Sequence, residues 1–161
     1  MEIINIGTLN EAQIHLLTDA RIKAINQKDI DSVLYNYALD VVSFDVVDTL
    51  QYSGSDSIRK RLEAWFSSFE GFPCYEMSDL KITATNELAF CHSLNHIRAT
   101  KTNGGKLDMW WRETVCYHRI NGMWLITHVH SSVPFNMHSG KASLYLKPTV
   151  IMRVNPYGYP S

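Results

Sequence analysis

Within Met109–Phe135, MWWRETVCYHRINGMWLITHVHSSVPF, the dipeptide Asn121-Gly122 divides two alternating runs of large residues. Asparagine and glycine tolerate the positive φ angles of a two-residue type I′ turn, so the segment predicts two long antiparallel strands joined as a hairpin. Side chains alternate across a strand. Trp110, Arg112, Thr114 and Cys116 therefore share one face of the first strand, and Trp111, Glu113, Val115 and Tyr117 share the other. On the second strand Trp124, Ile126, His128 and His130 lie together, opposite Met123, Leu125, Thr127, Val129 and Ser131. Both faces are largely apolar, which predicts cover on both: helices on one side, a second copy of the chain on the other. The expected assembly is a homodimer packed through the outer face of the sheet.

Length and charge set the outer limits. The 161 residues, 45% of them hydrophobic, suffice for one domain with a substantial core and a pocket. A net charge of −1 offers no basic patch, so neither nucleic acid nor an anionic membrane is an expected partner; small molecules and proteins remain. The start, MEIINIGTLNEAQ, is acidic and polar, and no segment approaches the about 20 continuous apolar residues of a membrane span. A cytoplasmic location is expected. Cys74, Cys91 and Cys116 are odd in number and widely spaced, so they read as small buried hydrophobes rather than a disulfide framework or a zinc site.

The first half reads as helical. Asn10 can cap a helix running to Asn26, with Ile14, Leu17, Ile22 and Ile25 on its apolar side. Asp29 caps a second, short helix to Tyr37, and Val41–Val47 reads as a strand. After a turn at Tyr52–Ser55, a third helix spans Asp56–Phe69; its stripe is Ile58, Leu62, Trp65, Phe66 and Phe69, with Arg59, Lys60, Arg61 and Glu63 on a solvated face. Gly71, Phe72 and Pro73 end it, and strands follow over Tyr75–Thr85, Leu88–Thr100 and Lys106–Arg119 before the last strand of the hairpin. This order predicts an α+β cone: three N-terminal helices packed on a strongly bent, mainly antiparallel sheet, with a pocket at the open end. Residues 1–136 form the single domain and 137–161 a C-terminal extension, an added edge strand or an arm at the interface, with a short apolar run at Thr149–Val154.

Several stretches carry a resemblance: Val42-Ser43-Phe44-Asp45, Leu50-Gln51-Tyr52-Ser53-Gly54 leading into Ile58-Arg59-Lys60-Arg61-Leu62, Phe90-Cys91-His92-Ser93-Leu94-Asn95, and His128-Val129-His130-Ser131-Ser132-Val133-Pro134. Over about residues 10 to 136 the chain resembles the nuclear-transport-factor-2-like superfamily, and within it the SnoaL-like and ketosteroid-isomerase-like small proteins. The hairpin is also similar to the association domain of calcium/calmodulin-dependent protein kinases, an oligomerisation hub. The isomerase resemblance puts Asp45 at the proton-shuttling aspartate. Ketosteroid isomerase is a standard illustration of an aspartate base opposite a tyrosine and a protonated aspartic acid. Counting along this chain puts Arg21 at the tyrosine and Thr114 at the acidic donor, so both oxyanion groups differ, which argues against steroid isomerisation.

Three constellations could carry chemistry. A carboxylate in an apolar cavity is a strong base, which suits Asp45 to moving a proton between two carbons; a turn cap or a pair with Arg112 is the alternative. His128 and His130 point the same way on a strand, as acid/base groups or metal ligands with His92 and His96; the further acidic ligand is missing, so no metal is expected. Trp110, Arg112 and Thr114 would supply an apolar wall, a guanidinium for developing negative charge and an orienting hydroxyl; Asp45, Asp108 or Glu113 could pair the arginine instead. His96, Tyr35 and Tyr37 are further lining candidates. β-Bulges, common in bent sheets, would invert these face assignments beyond them. The expected function is cofactor-free acid/base chemistry on a small hydrophobic or weakly acidic molecule, with Asp45, His128 and Arg112 catalytic and Trp110, Thr114, His130, His96 and Tyr37 binding. The alternative is a non-catalytic ligand-binding or oligomerisation module.

Overall fold

The computed structural model describes residues 6–149. In chain order the elements are α1 (Ile6–Asn26), α2 (Ile30–Leu34), β1 (Tyr37–Phe44), β2 (Tyr52–Ser53), α3 (Ser55–Ser67), β3 (Phe69–Ala84), β4 (Leu88–Lys101), β5 (Lys106–Ile120) and β6 (Met123–Ser132). They form one sheet of six strands in the order β2-β1-β6-β5-β4-β3, antiparallel except where β1 runs parallel to β6. The three helices and the mainly antiparallel sheet are the α+β architecture that the element order predicts.

The hairpin is closed by Asn121 at φ 50° and Gly122 at φ 79°, the two positive angles of a type I′ turn. Arg119 carries its guanidinium over the Trp124 ring at 4.3 Å and donates to Asn10 and Gln13 of α1 at 2.8 and 2.7 Å. Trp124 Nε1 also donates to Gln13, at 3.0 Å. The hairpin tip is thereby fastened to the start of α1. Asn10 does not cap that helix, which begins earlier: its side-chain amide donates to the Thr85 carbonyl at 2.8 Å, so a tertiary partner has taken a group that local reasoning assigned to the helix end.

Two further boundaries moved. The second helix stops at Leu34, and Tyr37 opens β1. Asp29 does cap that helix, accepting the Ser32 N–H at 3.1 Å. Phe69 begins β3 instead of ending α3, because the Gly71–Pro73 break falls inside a β-bulge between Glu70 and Cys74 on an edge strand, where a proline costs no ladder bond. A second bulge lies between Ser78 and Lys81, with Asp79 at φ 53°. Bulges increase bend and twist, and these curl β3 over α1. At the far end of α1, Asn26 clasps the Tyr75 backbone, accepting its N–H at 2.7 Å and donating to its carbonyl at 3.0 Å.

The third bulge matters most for function. On β5 Cys116 pairs with His128 and Tyr117 with Ile126, so Thr127 is the extra residue on β6. The inward set on β6 therefore switches from Trp124 and Ile126 to Val129 and Ser131. Ile14 and Val41 pack against Val115, Tyr117, Ile126 and Val129 in one buried cluster, and Ile25, Val33 and Phe66 against Tyr75 and Ile97 in another. Of the three cysteines, Cys91 is buried, Cys116 half-buried and Cys74 exposed, so the expectation of burial fails for Cys74. No helix among the described residues is long and apolar enough to cross a membrane. The expected apolar run Thr149–Val154 falls outside the described residues from position 150 onward.

Candidate functional site

The inner face of the sheet and the three helices enclose a cavity of about 440 Å³, within the range of small-molecule sites. Its walls are apolar, from Ile25, Val33, Leu62, Trp65, Ile97 and Trp111. Its polar groups fall into two sets.

The first set is buried. Arg21 of α1 and Glu113 of β5 are only 5% and 7% exposed. Arg21 Nη2 donates to Glu113 Oε1, Arg21 Nη1 donates to the Tyr37 hydroxyl at 3.2 Å, and Ser131 Oγ donates to Glu113 Oε2 at 3.3 Å. Burial opposes the Arg21 charge more than any single neighbour favours it, but the Glu113 carboxylate together with Tyr37, Tyr75 and Tyr117 outweighs it and holds the guanidinium well above its ordinary value. Burial also lifts the Tyr37 hydroxyl, against the pull of Arg21, and lifts that of Tyr75 further. The Tyr75 hydroxyl accepts from Asn95 Nδ2 at 2.8 Å, and Asn95 Oδ1 accepts from Ser93 at 2.6 Å. Each phenol oxygen is thus already an acceptor. Among the described residues, neither phenol proton meets a protein acceptor, which leaves two neutral donors at the cavity.

The second set stands where β1 runs out. Asp45 follows the last residue of β1; its Oδ2 accepts from Arg61 Nε at 2.9 Å and its Oδ1 from the Val46 N–H at 2.6 Å. The Arg61 guanidinium lies 5.9 Å from the Trp65 ring. Asp45 and Arg61 line the same cavity as Arg21, Tyr37, Tyr75 and Glu113, so the two sets belong to one site.

Of the candidates from the sequence, Asp45 and Tyr37 line this cavity. Trp110, Arg112, Thr114, His96, His128 and His130 do not; they lie on the outer face of the sheet. Alternation grouped Trp110 with Arg112 and Thr114, but Glu113, committed to Arg21, takes the opposite face inward and leaves Arg112 and Thr114 exposed. Arg112 does not meet Asp45, whose partner is Arg61. His128 and His130 turn outward at the Thr127 bulge. His128 Nδ1 donates to the Val42 carbonyl at 2.8 Å, and both rings stand edge-on to Phe44. His96 stacks flat on Trp110, centroids 4.3 Å apart, and its Nε2 lies 2.7 Å from Asp108, a hydrogen bond that holds the Asp108 carboxyl below the usual carboxylate range. Tyr35 is 76% exposed and outside the lining. No group of three or more His, Cys, Asp or Glu among the described residues is placed to hold a metal ion.

The residues that sequence reasoning missed had a signal. Arg61 follows Ile58 by three positions and precedes Trp65 by four, which puts it on the apolar stripe of α3 rather than the solvated face. Arg21 falls likewise between Ile14 and Ile25 on α1. A charge at an apolar helical position predicts a buried partner, and here the partners are Asp45 and Glu113.

The SnoaL-like domain family matches residues 14–136. An NTF2-like protein of unknown function from Pseudomonas putida is 32% identical, over 88% of this chain and 98% of its own, with a TM-score of 0.79. A nuclear transport factor 2 (NTF2-like) superfamily protein from Salmonella enterica shares 16% identity over 84% of this chain and 98% of its own, with a TM-score of 0.72. A ketosteroid isomerase-like protein from Erwinia carotovora shares 20% identity over 76% and 94%, with a TM-score of 0.65. These last two likenesses concern the fold alone. Among curated proteins none matches the chain.

Arg21→Met is expected to destabilise the protein by about 3–5 kcal/mol, because it strands the Glu113 carboxylate in the interior. Arg21→Met combined with Glu113→Leu should recover most of that loss in urea unfolding; a double variant no better than the single one would mean the pair is not the cause. A second expectation concerns alkaline pH. Folded Tyr37, Tyr75 and Cys91 keep protons that their unfolded counterparts release, the Cys91 thiol being pushed by burial from 9.0 to about 11. The unfolded state then binds fewer protons, so stability falls as pH rises from about 9 through about 11. An unfolding midpoint that stayed level across that window would contradict the burial of these groups.

Proposed function

The chain belongs to the SnoaL-like family of the nuclear-transport-factor-2-like superfamily, and on that premise we propose that it binds a small hydrophobic carbonyl compound and moves a proton on it. The observation that carries this is a carboxylate, Asp45, and a phenol, Tyr37, facing one mostly apolar cavity. Asp45 takes a proton from the carbon beside the carbonyl, the C–H electrons pass into the new C=C bond and the carbonyl pair onto oxygen. The enolate oxygen receives hydrogen bonds from Tyr37 and Tyr75, which burial keeps protonated. In a β,γ-unsaturated carbonyl compound the enolate is a dienolate, and Asp45 then returns the proton to the γ carbon as the C=C bond moves into conjugation, completing an isomerisation. Arg61 holds the carboxylate in place through Nε, and the Arg21–Glu113 pair fixes Tyr37. Such chemistry needs no cofactor. A cytoplasmic location belongs to the same proposal.

A second reading has its own support. Both Asp45 oxygens accept protein hydrogen bonds, from Arg61 and from the Val46 N–H, an arrangement equally suited to holding a ligand without reacting. Solvent deuterium separates the two. With enolisable aryl ketones, wild type should catalyse exchange, Asp45→Asn should lower it by about 10²-fold or more, and Tyr37→Phe by about 10²-fold in kcat with little change in KM. Binding, read from tryptophan fluorescence, with no exchange by wild type would sink the isomerase and leave the binding module.

The outer face bears a second proposal: a copy of the chain covers it. Phe90 is 46% exposed there, and Leu94, Trp110 and Phe44 extend the apolar surface around it. In sedimentation equilibrium the protein should weigh twice 18.4 kDa, and Trp110→Glu should return it to 18.4 kDa. A monomeric wild type would end this proposal.

A further inference from the structure

The mouth of the cavity is completed by residues beyond the family match. That match ends at residue 136, yet Ala142 and Leu144 line the cavity together with Val46, Val47 and Val133. They reach it because the chain folds back after β6. Phe135 and Ala142 form an antiparallel bridge, Asn136 N donates to the Lys141 carbonyl at 2.8 Å and Ser143 N to that of Pro134 at 2.7 Å. Gly140, at φ 68°, turns the chain. Asn136 Oδ1 accepts the N–H groups of His138 and Ser139 at 2.9 and 3.0 Å, fixing the loop from inside.

The other flank of this segment is also seated. Ser143, Leu146 and Lys147 lie with Leu94 and Trp110 along a smaller groove, and the Lys147 ammonium is near enough to Asp108 to favour its charge. The return strand is therefore held against the sheet while Ala142 and Leu144 face the cavity. Leu144 is 40% exposed and Val47 39%, so the mouth presents open apolar surface above a buried end that is polar. That gradient fits an amphipathic molecule: oxygen inward, hydrocarbon outward.

We propose that residues 137–149 are a specificity wall, in which Ala142 and Leu144 join Val46, Val47 and Val133 as an apolar collar that selects carbonyl compounds by the length of their hydrocarbon end. The collar deepens the function proposed above, resting on its ligand-binding part and not on proton transfer. A homologous series of phenyl n-alkyl ketones, titrated against the intact protein by tryptophan fluorescence, tests it. For wild type each methylene that reaches the collar should tighten binding by about fourfold. Leu144→Ser should flatten that gain for the long members and leave the methyl ketone unchanged, and Ala142→Phe should cut the series off at a shorter chain. Leu146→Ser, on the other flank of the same segment, should follow the wild-type series. Equal gains per methylene in wild type and Leu144→Ser would overturn the wall, as would equal losses in Leu144→Ser and Leu146→Ser. Failure of every ketone to bind wild type would overturn it together with the proposed ligand, whereas loss of deuterium exchange alone touches only proton transfer.

Discussion

Two charges buried in one protein interior must find each other, and the pairing of Arg21 with Glu113 organises much of this molecule. The arginine comes from the C-terminal half of α1 and the glutamate from the middle of β5, so their union sets both the rotation of the helix and the face that the strand turns inward. With Glu113 inward, Trp111, Val115 and Tyr117 follow it by strand alternation, and Trp110, Arg112 and Thr114 go outward. Tyr37 and Ser131 add further hydrogen bonds to the pair, which ties β1 and β6 to the same point, while Arg21 Nε has no hydrogen-bond partner among the described residues. A cavity can remain open beside such a cluster because its charge is satisfied within the protein.

The bulge at Thr127 does for β6 what the ion pair does for β5. One inserted residue moves His128 and His130 from the core side to the outer side and brings Val129 and Ser131 in. The ladder and the turn at Asn121-Gly122 are otherwise regular, so the strand keeps its partners while its two halves present opposite sets of residues. The histidines, chemically the most conspicuous feature of the chain, are consequently separated from the cavity by the thickness of the sheet. They belong with Phe44 and Trp110 to the surface proposed for a second copy.

Much of this was legible beforehand. The hairpin, the order of helices and strands and the α+β class followed from turn chemistry and periodicity, and motifs over most of the chain pointed to the family. Asp45 and Tyr37 were named from the sequence and line the cavity. Charge alone puts Arg61 on a solvated face, although its spacing from Ile58 and Trp65 puts it on the stripe that α3 buries. Local pattern puts Asn10 at a helix end because its partners, Thr85 and Arg119, are remote in the chain.

The sequence by itself determined which residues travel together, since a period of two or of 3.6 follows from backbone geometry and needs no knowledge of neighbours. Periodicity is symmetric between the two faces of a strand, and nothing local says which face is inside. Only the tertiary structure decided that, by pairing Arg21 with Glu113 and by inserting Thr127 into β6. The same holds for residues 137–149, which composition marks as the start of an extension. Its place at the cavity mouth comes from long-range closure, with Pro134 and Phe135 meeting Ser143 and Ala142.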